Sequence, residues 1–397
     1  MAELAEFTTL DRDFTQQPHP VLDRLRTAGP VSRAIMWGGT PVWFVTRYEE
    51  AKALLADPRL SKDNKKLQTL FPPGHNGAFQ SAMNSNMLQS DPPDHTRLRK
   101  LVVKAFTARA VEKLRGRVEE IADELLAQID DQPTFDLMTA FATPLPLRVI
   151  SELLGIPTSS SSQFRNLVVA TTDQTGRQER EIARATLADL LAELIAEKRT
   201  QPTDDLISHL IQATDEGDRL SEQELMATVF VILAAGFETT VNLIGNGVLA
   251  LLNNPTQLAR LRADMSLIPA AVEELLRFDT PVNAATPRFT SVPITVGDVE
   301  IPANEFVMIS VLSANRDEQH FDAPAVLDIA RKPKPHLAFG HGIHYCLGAS
   351  LARLEATIAF ERLLTRFPCM ELDTTKPVVF RDSTLIHGLT ALYIARR

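Results

Sequence analysis

Apolar residues recur at helical spacing along most of the chain, most clearly over residues 110–129, 180–198, 221–253, 269–278 and 347–367. That period predicts a mainly α protein. Period-two alternation is confined to short runs. These are 42–46, a pair at 294–296 and 299–301 that Gly297-Asp298 would turn into a hairpin, and 306–310. The hydroxyl-rich run 158–162 behind Pro157 reads as a polar loop. No repeat and no shift in composition divides the sequence, so one helix-dominated domain over 1–397 with a small β-rich side is expected.

The longest helical pattern opens on Ser221-Glu222-Gln223-Glu224, a capping box, and ends at Asn253-Asn254-Pro255. It predicts a helix of about 33 residues and roughly 50 Å. In its middle lies Ala235-Gly236-Phe237-Glu238-Thr239-Thr240. Glycine weakens a helix and hydroxyls compete for its carbonyls, which predicts a local distortion there. An acid beside an alcohol in apolar surroundings costs energy unless partnered. Taken alone, a structural kink or solvated notch is the better reading of these six residues.

Composition narrows the classes. With 397 residues, 44% hydrophobic and 23% charged, the chain is long enough to bury a large core. A formal charge of −9 argues against a nucleic-acid surface. The most apolar stretch, 225–237, contains Thr228 and is about 13 residues, short of the roughly 20 that span a bilayer. It reads as a buried helix, and no membrane anchor is expected. Residues 1–13 carry acids and no long apolar run, so a secretory leader is not expected either. Two cysteines make no disulfide framework, which suits the cytoplasm.

The two cysteines differ in setting. Phe339-Gly340-His341-Gly342-Ile343-His344-Tyr345-Cys346-Leu347-Gly348 turns through two glycines into a helix, which puts Cys346 at a helix N-terminus. Amide hydrogens and the positive end of the dipole there favour a thiolate, the form of cysteine that binds metal. Cys369, behind Pro368, has no such loop and reads as an inert core residue.

The segment resembles the cysteine-ligand loop of the cytochrome P-450 family, Phe-Gly-x-Gly-x-His-x-Cys-x-Gly, at every fixed position. The resemblance implies the cytochrome P-450 fold, a helix-rich triangular domain around a buried haem b (iron protoporphyrin IX). It makes Cys346 the ligand to iron and Phe339 its shield, sets His344 against a haem propionate, and gives Gly340 and Gly348 to the haem loop. The central hexapeptide is similar to the family's oxygen-activation motif, in which Glu238 and Thr239 would organise proton delivery to dioxygen and Ala235 would lie against haem.

Further motifs occur in the family's order. Glu274 and Arg277 form an i, i+3 pair on the helix 269–278, similar to a buried structural Glu-x-x-Arg. The Arg that usually completes this pair is replaced by Val326, leaving Arg316 or Arg331 as substitutes. After Asp91-Pro92-Pro93, Asp94 is expected to cap a helix with His95 and Arg99 on one face. By resemblance these two, and Arg288, contact haem propionates. At about 100° per residue, Val102 and Phe106 share the His95 face, and Arg97, Lys100 and Lys104 lie roughly opposite. That basic stripe, with Arg109, Lys113 and Arg353 as neighbours, is expected to dock an acidic ferredoxin.

What the resemblance implies is a soluble bacterial monooxygenase that inserts one oxygen atom of O2 into a C–H bond of a macrolide, polyketide or steroid. Electrons would come from a ferredoxin and an NAD(P)H-dependent ferredoxin reductase. Met87, Leu88, Leu233, Ala234, Phe237, Val282, Asn283, Leu385 and Ile386 would line its pocket. A peroxide-driven haem-thiolate enzyme and a non-enzymatic haem sensor or carrier are the alternatives, and the acid-alcohol pair disfavours both.

Overall fold

The Ser221 hydroxyl accepts from the amide of Glu224 (3.3 Å) and the Glu224 carboxylate accepts from the amide of Ser221 (2.9 Å). The reciprocal cap read in the sequence is formed, and it launches the long helix one residue later. The structure, a computed structural model, describes residues 7–37, 39–69, 85–105, 107–172, 177–214 and 217–396.

In chain order the elements are β1 (Thr8–Thr9), α1 (Arg12–Gln16), α2 (Pro18–Ala28), β2 (Val31–Ile35), β3 (Pro41–Val45), α3 (Tyr48–Leu55), β4 (Leu60–Ser61), α4 (Asn64–Thr69), α5 (Asp94–Ala105), α6 (Ala108–Lys113), α7 (Arg115–Ala127) and β5 (Thr134–Asp136). There follow α8 (Pro144–Leu154), α9 (Thr158–Thr172), α10 (Arg177–Thr200), α11 (Leu206–Gln212), α12 (Glu222–Leu252), α13 (Pro255–Ala263) and α14 (Ile268–Phe278). The chain closes with β6 (Arg288–Thr290), β7 (Ile294–Val296), β8 (Val299–Ile301), β9 (Phe306–Ile309), α15 (Val311–Ala314), α16 (Ala349–Arg366), β10 (Met370–Leu372), β11 (Val379–Phe380), β12 (Leu389–Ala391) and β13 (Tyr393–Arg396).

These elements gather into two compact units. One comprises Met1–Ser61, Ala122–Ala142 and Thr239–Arg397, the other Lys62–Ile121 and Thr143–Glu238. The first holds a mixed six-stranded sheet in the order β1-β2-β3-β9-β6-β4, a three-stranded sheet β10-β13-β5, and the pairs β7-β8 and β11-β12. Because side chains alternate across a strand, Val42 and Phe44 of β3 enter one core cluster and Val45 the other. Val307 and Ile309 of β9 share the cluster of Val45, and Met308 that of Phe44. The large sheet is thus buried on both faces. In the same unit α14 packs on α16, and a Cβ at Gly247 of α12 would lie 2.5 Å from the ring of Phe360. The second unit is helical, built on the packed pair α9 and α10, with α8 against α9, α11 against α10, and α5 against α11.

Several expectations need correction. Residues 158–162 are the first turn of α9, not a loop: the Ser160 amide donates to the carbonyl of Pro157 (2.9 Å), and Ser161 is buried. Packing overrides weak propensity there. The predicted helix 110–129 is broken at Leu114, whose amide turns back to Val111 (3.0 Å). Strands are more numerous than expected, because runs of two or three residues are too short to show a period. Asp94 is the first residue of α5 and not its cap; it pairs with Lys65 (3.2 Å). Gly348 is the N-cap of α16, so Cys346 precedes the helix by a short turn. Phe106 and residues 1–6 lie outside the described residues.

By length and composition α12 is apolar enough to cross a membrane, with mean hydropathy 1.7 in its most apolar window, but 67% of that window is buried inside the protein. It has the burial of a core helix.

Candidate active site

Leu337 starts the cysteine loop by donating its amide to Oδ1 of Asn315 (2.7 Å). Gly340 donates back to the carbonyl of Leu337 (2.8 Å), Tyr345 to Gly342 (3.1 Å), and Cys346 to Phe339 (2.9 Å). Gly340 and Gly342 have φ of 73° and 75°, a conformation that side chains with a Cβ resist. At Gly342 a Cβ would also lie 3.0 Å from Cα of Ala56. The result is a tight turn that leaves the Cys346 thiol exposed. His344 ends the short 3₁₀ turn Gly342–His344 and is half-buried. Cys369 is exposed as well, not a core residue as expected, and it sits just ahead of β10.

Phe339 is half-buried, with the guanidinium of Arg353 4.4 Å from its ring centroid. Arg353 in turn grips Glu273 with both arms (2.7 and 2.9 Å), and Nε2 of His336 lies 3.2 Å from the same carboxylate. Burial raises the Glu273 carboxyl, but the hydrogen bonds from His336 and Arg353 overcome it and bring it down to about 2. Sequence reading missed this network, since Glu273 carries no motif of its own.

Helix α12 runs unbroken through the acid-alcohol motif, against the distortion expected. Its glycine serves close approach: a Cβ at Gly236 would meet Cδ1 of Ile150 at 2.8 Å. In the helical unit, Glu238 (9% exposed), Phe237 and Leu233 are buried, Ala234 and Gly236 are half-buried, and Ala235 is exposed. Met87 is buried and Leu88 half-buried beside it in a short turn capped by Asn86. His95, on α5, is buried at 2% exposure, and Arg99 is half-buried one turn later.

In the sheet-bearing unit, Thr239 is half-buried and Arg288, on β6, is buried. Val282 bridges Ile386, the amide of Asn283 donates to the carbonyl of Leu385 (2.8 Å), and Nδ2 of Asn283 donates to Thr384 (3.0 Å). Four residues assigned to the pocket therefore meet in one strap, in which Asn283 serves as a tie. Two further ties escaped the sequence. Nδ2 of Asn246 donates to the carbonyl of His387 (2.9 Å), and the half-buried carboxylate of Asp279 meets both His387 (3.2 Å) and His19 (3.4 Å).

The Glu274–Arg277 pair is buried and bidentate (2.7 and 2.8 Å). Arg331, not Arg316, completes it, with Nε at 3.1 and 3.2 Å from the two carboxylate oxygens. Arg316 instead donates to the carbonyl of Phe278 (2.8 Å). Val326 is 57% exposed and contributes only its carbonyl, which accepts from Arg331 (2.8 Å).

The basic stripe is thinner than expected. Arg97 pairs with Asp218 (3.2 Å) and Glu224, and Arg353 belongs to Glu273. Lys104 holds the carbonyl of Thr214 (3.0 Å). Lys100, Lys104 and Lys113 are exposed, and the Arg109 side chain lies outside the described residues.

The donor set fits a haem. Cys346 offers sulfur on an open turn in which a Cβ at Gly348 would sit 4.0 Å from Sγ, and Arg288 is a buried cation of the type that carboxylates accept from.

A family model described as Cytochrome P450 matches residues 158–390. Cytochrome P450 107B1 of Saccharopolyspora erythraea is 46% identical over 98% of both chains. Cytochrome P450 monooxygenase PikC of Streptomyces venezuelae is 45% identical over 98% of this chain and 93% of its own. The tirandamycin C-bound structure of the P450 monooxygenase TamI superposes with a TM-score of 0.91 at 46% identity, covering 98% of this chain and 100% of that one. A cysteine turn of this geometry, a capped central helix carrying the acid-alcohol pair, and near full-length likeness converge: the chain belongs to the cytochrome P450 family and is a P450 monooxygenase.

Proposed function

We propose that this enzyme inserts one oxygen atom of O2 into a C–H bond of a bulky, largely hydrophobic natural product of the macrolide, polyketide or steroid type. The observation that carries the reading is the turn around Cys346, whose amide donates to the carbonyl of Phe339 (2.9 Å) while Gly340 and Gly342 take φ of 73° and 75°. The relatives add direction, since TamI was captured with tirandamycin C. Haem b, once bound, supplies the iron at which dioxygen is reduced and its bond cleaved.

The chain's own residues do the rest. Cys346 Sγ, as thiolate, would hold the iron, with His95, Arg99, Arg288 and His344 as partners of the propionates and Ala235, Gly340 and Gly348 giving the ring room. Glu238 and Thr239 would relay protons, with the carboxyl of Glu238 and Oγ1 of Thr239 as the groups that hold and pass them. Leu233, Ala234, Phe237, Met87, Leu88, Val282, Leu385 and Ile386 would line the pocket with apolar side chains, which exclude water and suit an apolar substrate.

We further read 1–397 as one cytoplasmic domain fed by a ferredoxin and an NAD(P)H-dependent ferredoxin reductase. The exposed Lys100, Lys104 and Lys113 offer part of the docking surface for an acidic donor. Charge reversal at Lys100 and Lys104 should slow electron transfer at low salt and flatten its ionic-strength dependence. An unchanged rate would reduce these lysines to plain surface.

The test of the whole reading is turnover of natural products that displace water from the ferric haem in a spectral screen. Product is expected with ferredoxin, reductase and NAD(P)H. Product with peroxide alone at equal rate would instead make the protein a peroxygenase. Absence of substrate-dependent NAD(P)H use across a broad screen would make it a sensor or carrier.

A further inference from the structure

Two adjacent carboxylates on α14 serve different partners. Glu274 faces Arg277 and Arg331, while Glu273 takes both arms of Arg353 on α16 at 2.7 and 2.9 Å. With the side chain of Arg353 36% and that of Glu273 41% exposed, the pair adds little to folding by itself. Its geometry does something else. The bidentate grip orients the guanidinium, whose central carbon is 4.4 Å from the Phe339 ring centroid, and Nε2 of His336 lies 3.2 Å from Oε2 of the same carboxylate. The carbonyl of Phe339 accepts the amide of Cys346 at 2.9 Å, so displacing Phe339 displaces the cysteine.

We propose that Glu273 and Arg353 are positioning residues that clamp the outer face of Phe339 and thereby hold Cys346 as a metal-bound thiolate. The inference rests on Cys346 being the haem ligand. Arg353 suits the task because its planar guanidinium can grip a carboxylate and lie against a ring at once, which a lysine ammonium cannot do.

The experiment follows the reduced, carbon monoxide-bound holoenzyme as its thiolate-type Soret band decays to the thiol-type band, alongside far-UV circular dichroism melting. Arg353→Lys and Glu273→Gln are each expected to speed that decay about tenfold, the scale of one lost stacked or charge-assisted contact. Arg366→Gln breaks the ion pair with Asp130 near the far end of α16 and is expected to leave the decay within about twofold. If Arg353→Lys and Glu273→Gln decay like the parent, the clamp is wrong. If Arg366→Gln accelerates the decay equally, in step with lost melting temperature, the effect is general stability and the proposal also fails. A parent with no thiolate-type band would point to a failure of the ligand assignment itself, which separates the two readings.

Discussion

Arg331 reaches Glu274 with Nε 3.1 and 3.2 Å from its carboxylate oxygens, across 57 residues of chain. It occupies the role that Val326 leaves vacant. Arg277→Met should cost about 3–5 kcal/mol, because it strips the main partner from a carboxylate that is only 4% exposed. Arg331→Met should cost less, about 1.5–3 kcal/mol, as the loss of charged hydrogen bonds. Urea denaturation of both, with a double-mutant cycle to Glu274→Gln, checks the assignment; coupling to Arg316 instead of Arg331 would refute it.

Cys346→Ala should abolish the red-shifted Soret band of the reduced carbon monoxide complex, and Cys369→Ala should leave it intact. Both thiols are exposed, so accessibility does not separate them; the turn closed on Phe339 does. The reverse result would move the ligand to Cys369.

Thr239→Ala should retain haem and fold yet divert reducing equivalents to peroxide or water. Thr239 is half-buried in an unbroken helix, so removing its hydroxyl costs little packing. An unchanged ratio of product formed to NAD(P)H consumed would take Thr239 out of proton delivery and turn attention to the buried Thr240.

Gly247→Ala should destabilise by about 1–3 kcal/mol, since the new methyl would meet the Phe360 ring at 2.5 Å and Leu275 at 3.2 Å. Gly116→Ala in α7 has nothing within 4 Å and should be neutral or stabilising by about 0.5 kcal/mol. Equal melting temperatures for the two variants would contradict the close approach of α12 and α16.

Acid should weaken the tie between α2, the end of α14 and the C-terminal strap in two stages. Burial lowers the His19 pKa from 6.5, so its contribution is full above about 6.5 and is lost as pH falls through the lowered value. Burial pushes the Asp279 carboxyl up, but the charges and hydrogen bonds of His387 and His19 overcome this and hold it well below 3.8. Its contribution is therefore present above about 3.8 and fades at lower pH. Arg316, beside them, has its own pKa lowered by burial to about 10 and stays charged throughout. His19→Gln should flatten the fall in melting temperature between pH 6.5 and 5.5; an equal fall in both proteins would exclude His19 as the first group to titrate.

Local chemistry was legible in the residue order. The cap at Ser221, the hairpin across Gly297-Asp298 and the Glu274–Arg277 pair are made by neighbours within a few positions and form as the spacing implies, and the glycine turn around Cys346 forms too, although α16 begins after it at Ala349. Distant partners were not legible. Whether Arg316 or Arg331 met Glu274, and that Glu273 would clamp Phe339 through Arg353, depended on how α14, α16 and the loop behind β9 pack, which no local pattern records. The same reason explains Thr158–Ser162, whose weak helical preference is overridden by the packing of later α9 residues such as Phe164 and Val168. What the sequence alone determined was the cysteine turn, the central helix and the helical character, because short-range hydrogen bonding and periodicity suffice for these. Tertiary structure decided which cations remained exposed at the surface, which arginine completed the buried network, and what braces the cysteine, since each depends on charges brought together from far along the chain.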